Sequence, residues 1–271
     1  MLVDDHTRPN VHTKIILPKL LEKLRSIGVR KQDIRILIST GTHRPSTQGE
    51  IREAILGEEI YEEYENLTLI HDCDENNRKI GESDEGTPII IDERLLESSF
   101  VIPVTDSRYH YFAGISGTVK QIIPGNAGRE TVRKNHTKMF HPEKGFKDEV
   151  MPGSTENNPV ISEIKEMVRK VAEEVDIFCI DCILDEEEFV HLSAGDLFAC
   201  HEEAKRILPK ISEVKVEELG DMVIVSAGSL GINLYQAGKA FHAGWHAVKK
   251  DSQSWIIVLA SCKDNYGKTL F

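Results

Sequence analysis

The sequence predicts an α/β protein of two domains, with mainly parallel sheets flanked by helices and the second domain incomplete. Three observations carry this expectation. Short apolar runs such as 34–38 and 222–226 alternate with longer amphipathic stretches such as 11–27 and 159–174, the order expected of βαβ units. Polar clusters follow several of the apolar runs, as ligand loops follow strands in open parallel sheets. The stretch 222–260 reads as one strand–helix–strand unit with a Gly228/Gly231 turn inside it, a right-handed crossover motif.

The elements follow in order. Ile15, Ile16, Leu20, Leu24 and Ile27 recur at helical spacing, which predicts a helix over 11–27. The run 34–38 is a buried strand that leads into Ser39-Thr40-Gly41-Thr42-His43. A helix over 47–64 starts near Ser46, with Glu50 placed to support its first turn. Strands are expected at 67–70, 89–91 and 100–104, a glycine-rich loop at 114–117 and a helix around 130–136. The chain continues with a helix over 159–174, strands at 177–184 and 189–192, and a helix over 196–207. A strand at 222–226, a helix over 233–249 and a strand at 255–260 complete it. The preferred domain cut lies near 208–213, giving an N-terminal domain of 1–208 without its first strand region and a partial C-terminal domain of 212–271. The polar stretch 145–158 is the alternative cut. Both ends look abrupt, so the sequence is expected to be a fragment.

Composition narrows the function. The 271 residues include 33 Lys plus Arg and 45 Asp plus Glu, a formal charge of −12. Such a balance argues against a general nucleic-acid binder, which needs a basic surface, yet leaves room for a local basic pocket. No apolar run approaches the roughly 18 residues of a membrane span. The start, MLVDDHTRPN, has neither the basic flank nor the apolar core of a signal peptide. Five thinly spread cysteines point to reduced thiols and a cytoplasmic protein.

Chemistry-bearing residues gather at strand ends. They are Asp4-Asp5-His6-Thr7-Arg8-Pro9, then Thr40-Gly41-Thr42-His43-Arg44-Pro45, then Tyr109-His110. Each alone reads as a cap, a turn or a satisfied histidine; three at successive strand ends converge in a parallel sheet. The segment 112–120 is glycine-rich and ends in Lys120. Its glycines let backbone approach a ligand, and the lysine offers a cation or a nucleophilic amine. It does not match a Walker loop. His136 offers a metal ligand, though one histidine does not make a site. Cys179 and Cys182 have C-x-x-C spacing but belong to a strand, where their side chains face opposite ways. His242 and His246 sit one helical turn apart without the Glu of a His-Glu-x-x-His motif and read as a surface pair. The run Asp185–Glu188 reads as a solvated turn.

Taken together, the segments resemble the nickel-dependent lactate racemase family. The matching pieces come in family order: DDHTRP at 4–9, TGTHRP at 40–45, YHYFAGISGTVK at 109–120, IPGNAGRETVRKNH at 123–136, SAGD at 193–196 and INLYQAGKA at 232–240. The resemblance covers nearly the whole chain. It implies an isomerase, a racemase or epimerase of small 2-hydroxy acids, with a cofactor-binding N-terminal domain. It further implies nickel held by a pyridinium-3,5-bisthiocarboxylate mononucleotide, joined to Lys120 through a thioamide, with His136 completing the metal's coordination. His43 and His110 match the family's acid/base histidines. Asp5 and Arg8 match the segment lying against cofactor and substrate, and Gln236 and Lys239 match the substrate-gripping pair. Cofactor-making enzymes are the implied partners, with no nucleic acid and no membrane. The sequence departs from the pattern at Thr118, where the family commonly carries glycine, and at Ser229-Leu230-Gly231, which lacks the usual Pro and Asp.

The implied mechanism removes hydride, because an adjacent carboxylate disfavours a carbanion, and a nickel-activated pyridinium serves as electron sink. One histidine takes the hydroxyl proton as hydride leaves; after the planar keto acid turns, hydride returns to its other face and the second histidine supplies a proton. Two rival readings stay open at this stage: a metal-dependent lyase or hydrolase using His43, His110 and His136 as ligands, and an inactive remnant.

Overall fold

A computed structural model describes residues 1–143, 145–185 and 187–264. Six strands align in the order Thr68–Ile70, Ile36–Ser39, Leu2–Asp4, Val104–Asp106, Cys179–Asp185 and Glu188–Gly195. A parallel bridge between Leu2 and Pro103 joins the two halves. The first five run parallel and the last antiparallel. The expected α/β class with mainly parallel sheets is what forms.

Alternation along each strand decides which helices cover which face. Val3, Ile36 and Ile38 pack with Leu17 and Leu21 of the helix Val11–Ser26 and with Ile60 and Tyr64 of the helix Glu58–Tyr64. Leu2 and Leu37 turn the other way, into the cluster built by Val160, Ile161, Ile164, Met167, Val168 and Val171 of the helix Pro159–Ala172. That helix opens with Asn158 accepting from the Val160 amide and with proline in the first turn, both favourable start signals. Farther on, the strands Met222–Ser226 and Trp255–Leu259 pair in parallel, and the helix Leu234–Ala247 crosses between them, the βαβ unit read from the sequence.

Several expectations need correction. The stretch 47–64 is not one helix. Thr47 and Glu50 form a capping box, a π-helical turn spans Ile51–Leu56, and Gly57 at φ 81° breaks the run before Glu58–Tyr64; only glycine adopts that angle cheaply. The 100–104 strand divides into Phe100–Val101 and Val104–Asp106 around Pro103. The strand Asn77–Glu82 was not anticipated; it pairs antiparallel with Pro88–Asp92. The helix Leu197–Ser212 runs past 207 through Pro209, and no helix or strand follows from 213 to 219. In the acidic run expected to form a turn, Glu186 lies outside the described residues. No helix among the described residues is long and apolar enough to cross a membrane.

Candidate functional site

Three neighbouring parallel strands end at the same edge of the sheet, and their loops converge there. Leu2–Asp4 delivers Asp5 and Arg8, Ile36–Ser39 delivers His43, and Val104–Asp106 leads to His110. The helical turn Val119–Ile122 adds Lys120, the helix Arg129–Thr137 adds His136, and the helix Leu234–Ala247 adds Lys239. All seven side chains line one pocket of about 100 Å³. Arg8, His110 and Lys239 also border an adjoining cleft of about 1040 Å³. Gln236 is buried beside the pocket, its Nε2 3.5 Å from His43 Nε2. The structure therefore gathers, in or beside one pocket, every residue matched through the family resemblance.

Hydrogen bonds fix the two pocket histidines differently. Asp5 Oδ2 lies 2.7 Å from His43 Nδ1, while Asp5 Oδ1 accepts from the Thr7 amide and hydroxyl. Burial pushes the Asp5 carboxyl up, but the nearby charges of His43, Arg8 and His6, with the His43 hydrogen bond, hold it well below the usual carboxylate range. An ionised carboxylate only accepts, so His43 Nδ1 carries a proton and Nε2 is left for the pocket. His110 is arranged the other way. Its Nδ1 accepts from the amides of Ala113 at 3.2 Å and Phe112 at 3.5 Å. Burial, then the cations Lys120, Lys239 and Arg8, push its pKa far down. The neutral ring then keeps its one proton on Nε2.

Lys120 has no hydrogen-bond or ion-pair partner for Nζ among the described residues; the amine lies over the Phe112 ring, 5.1 Å from its centroid. Burial and the neighbouring Arg8 lower its pKa to about 7, so a nucleophilic free amine is accessible at neutral pH. Lys239 is depressed by burial, Arg8 and Lys120. Burial and the two lysines push His136 well down, which leaves a neutral imidazole suited to metal ligation. The loop before Lys120 is tightly seated: a Cβ on Gly117, at φ 76°, would lie 2.6 Å from Ser107 Oγ. Next to it Thr118, a non-glycine at φ 40°, ψ −114°, donates its amide to Thr105 Oγ1 and meets His201 Nδ1 with its hydroxyl.

Other groupings stay apart from this pocket. Cys179 and Cys182 are free and buried. His242 packs on Tyr111, ring centroids 4.7 Å apart, and borders the wider cleft with His246. Asp72, Cys73 and Asp74 are the one group of three or more potential metal-binding side chains close enough to share an ion among the described residues; Arg129 pairs with Asp74 there. Sequence reasoning did not find Asn135, Glu163 or His201. Their contacts span 28 and 83 positions, and no local motif signals them.

The fold and pocket define an α/β protein with a polar pocket at a strand-end crevice. The chain belongs to the lactate racemase family: the domain described as Lactate racemase N-terminal domain matches residues 1–147. The chain is 32% identical over 270 residues to a lactate racemase of Lactiplantibacillus plantarum, covering 98% of this chain and 61% of that protein. It is 30% identical over 272 residues to a lactate racemase of Thermoanaerobacterium thermosaccharolyticum, covering 98% and 60%. The lactate racemase apoprotein structure from the latter organism superposes with a TM-score of 0.82 at 29% identity, over 98% of this chain and 61% of that one. A Thermotoga maritima protein structure shares the fold alone, with a TM-score of 0.65 at 19% identity over 84% and 58%. The chain thus spans about three fifths of the length of these curated relatives.

Proposed function

We propose that this chain carries the reaction centre of an isomerase that racemises or epimerises 2-hydroxy carboxylic acids of the lactate class. One observation carries the reading: two histidines in opposite hydrogen-bonding states, His43 and His110, face one cation-lined pocket. Inversion at a hydroxyl-bearing carbon needs a proton acceptor and a proton donor, and these rings offer one of each. His43 Nε2 takes the hydroxyl proton and becomes imidazolium beside the Asp5 carboxylate. His110 Nε2–H hydrogen-bonds the oxygen and passes it a proton after the carbon inverts, a proton that His110 regains from solvent as His43 releases its own. Arg8 and Lys239 hold the carboxylate, Arg8 by paired hydrogen bonds, and Gln236 orients the His43 edge.

The donor set fits a nickel-carrying pyridinium-3,5-bisthiocarboxylate mononucleotide. Lys120 is an amine unpaired among the described residues, with a pKa near neutrality, as thioamide formation requires. His136 is neutral, and imidazole beside sulfur donors suits a late transition metal. Lys120 and His136 would hold the group, with Asp5 and Arg8 against it; when bound it supplies the sink for the electron pair of the α-C–H bond. The rival three-histidine metal site has less support. His110 spends its lone pair at Nδ1 on backbone amides, which leaves Nε2 protonated, and the three do not form a ligand cluster among the described residues. The same reading assigns 1–208 to a cofactor-binding domain and 212–271 to part of a second domain, with cofactor-making enzymes as partners. Five free cysteines support a reducing, cytoplasmic setting.

Interconversion of D- and L-lactate by protein produced alongside the cofactor-making enzymes tests this. Folded, nickel-loaded protein with a Lys120 adduct that interconverts no 2-hydroxy acid overturns it.

A further inference from the structure

Asn135 and His136 are neighbours on the helix Arg129–Thr137, and Asn135 is wholly buried against the helix Pro159–Ala172. Its Nδ2 donates to the Val160 carbonyl at 3.0 Å and to Glu163 Oε2 at 2.9 Å. A carbonyl oxygen can only accept. Glu163 is itself buried, and its other oxygen receives the Ser83 hydroxyl at 2.7 Å and Lys138 Nζ at 3.0 Å. With both amide hydrogens directed to these acceptors, the carboxamide cannot flip without setting its oxygen against two others. Asn135 Oδ1 is therefore held on the opposite side, 3.1 Å from His136 Nδ1. An acceptor there can be met only by Nδ1–H, whatever the charge of the ring. Nε2 is then the one ring nitrogen able to offer a lone pair, on a side chain that lines the pocket and packs edge-on against Phe112.

We infer that Asn135, anchored by Glu163, is a positioning residue that sets the tautomer and ring angle of His136, so that Nε2 is presented to the metal. The inference rests on the reading of His136 as a nickel ligand. Its physical content is separable: hydrogen bonds outside the ligand set decide which imidazole nitrogen can bind, and removing such a partner typically costs about 10- to 100-fold in metal affinity.

The test is a two-bond ¹H–¹⁵N spectrum of the histidine rings in the metal-free protein, with His136 assigned by its absence in His136→Gln. The expected signature is Nδ1–H with a pyridine-like Nε2. Asn135→Leu should abolish it, and nickel loss to a chelator from loaded protein should quicken about 10- to 100-fold. Glu163→Gln, whose carboxamide oxygen can still accept from Asn135, should keep the signature, whereas Glu163→Met should give a mixture of tautomers. An Nε2–H ring in the unsubstituted protein, or an unchanged signature in Asn135→Leu, overturns the proposal. A retained signature in folded Glu163→Met removes Glu163 from it. Normal nickel retention by His136→Gln would instead refute His136 as ligand while leaving the tautomer relay standing.

Discussion

The hydroxyl of Thr118 lies 2.8 Å from Nδ1 of His201, tying the loop before Lys120 to the helix Leu197–Ser212 across 83 positions. Thr118 holds φ 40°, ψ −114°, a region that costs a non-glycine residue about 1–3 kcal/mol. The hydroxyl–imidazole bond and the Thr105 contact offset that strain.

Stability variants can separate the two effects. Thr118→Ala keeps the strain and leaves the buried imidazole unpaired, so it should cost about 1–3 kcal/mol. Thr118→Gly loses the same bond but relieves the strain, at about 0.4–1 kcal/mol of unfolded-chain entropy. Urea unfolding should place Thr118→Gly above Thr118→Ala and Thr118→Ser near the unsubstituted protein. Equal midpoints for Gly and Ala would show that the backbone there is unstrained.

Lys120 should react as a neutral amine at unusually low pH. Its pKa of about 7, against 10.5 for an ordinary lysine, predicts acylation with a midpoint near pH 7, read by peptide mass mapping in cofactor-free protein. The sign for stability follows. The unfolded chain binds this proton more tightly, so between about pH 7 and 10.5 this group makes the folded state more stable as pH rises. Lys120→Met should therefore be more stable than the unsubstituted protein at pH 7, and the gain should shrink towards pH 10. Cofactor attachment should vanish in Lys120→Met but survive in Lys134→Ala, because Lys134 pairs with Glu130 on an exposed helix face.

His43→Ala and His110→Ala should each lower kcat/KM by about 100- to 10,000-fold while nickel is retained. The two enantiomers have equal free energy, so the loss must be the same from either side. Chiral chromatography of both directions per bound nickel checks this. Near-normal turnover in either variant would remove that ring from proton transfer.

His136→Ala should release nickel more readily than His141→Ala or His246→Ala, measured by metal analysis after gel filtration. Both comparison residues are exposed, outside the smaller pocket.

Local pattern made much of this legible. The Pro159–Ala172 helix and the convergence of residues 5–8, 43 and 110 at strand ends follow from periodicity and from polar clusters after apolar runs. The strand Asn77–Glu82 escaped because NRKIGE has a single large apolar residue and pairs only through its hairpin. The break at Gly57 escaped because flanking residues keep helical spacing across it. Glu163 read as an ordinary charged helix position. Its role comes from a neighbouring helix, Ser83 and Lys138, and such side-to-side packing leaves no trace in spacing along the chain.

The gathering of Arg8, Lys120 and Lys239 in one pocket ties ligand binding to proton uptake. Burial, then repulsion from neighbouring cations, eases protons off the two lysines, and an arriving carboxylate restores a reason to hold them. An acid that docks beside Lys239 therefore draws a proton from solution as it binds, and its affinity declines as the medium grows more alkaline. The heat of binding then changes with the ionisation enthalpy of the buffer, in proportion to the protons taken up.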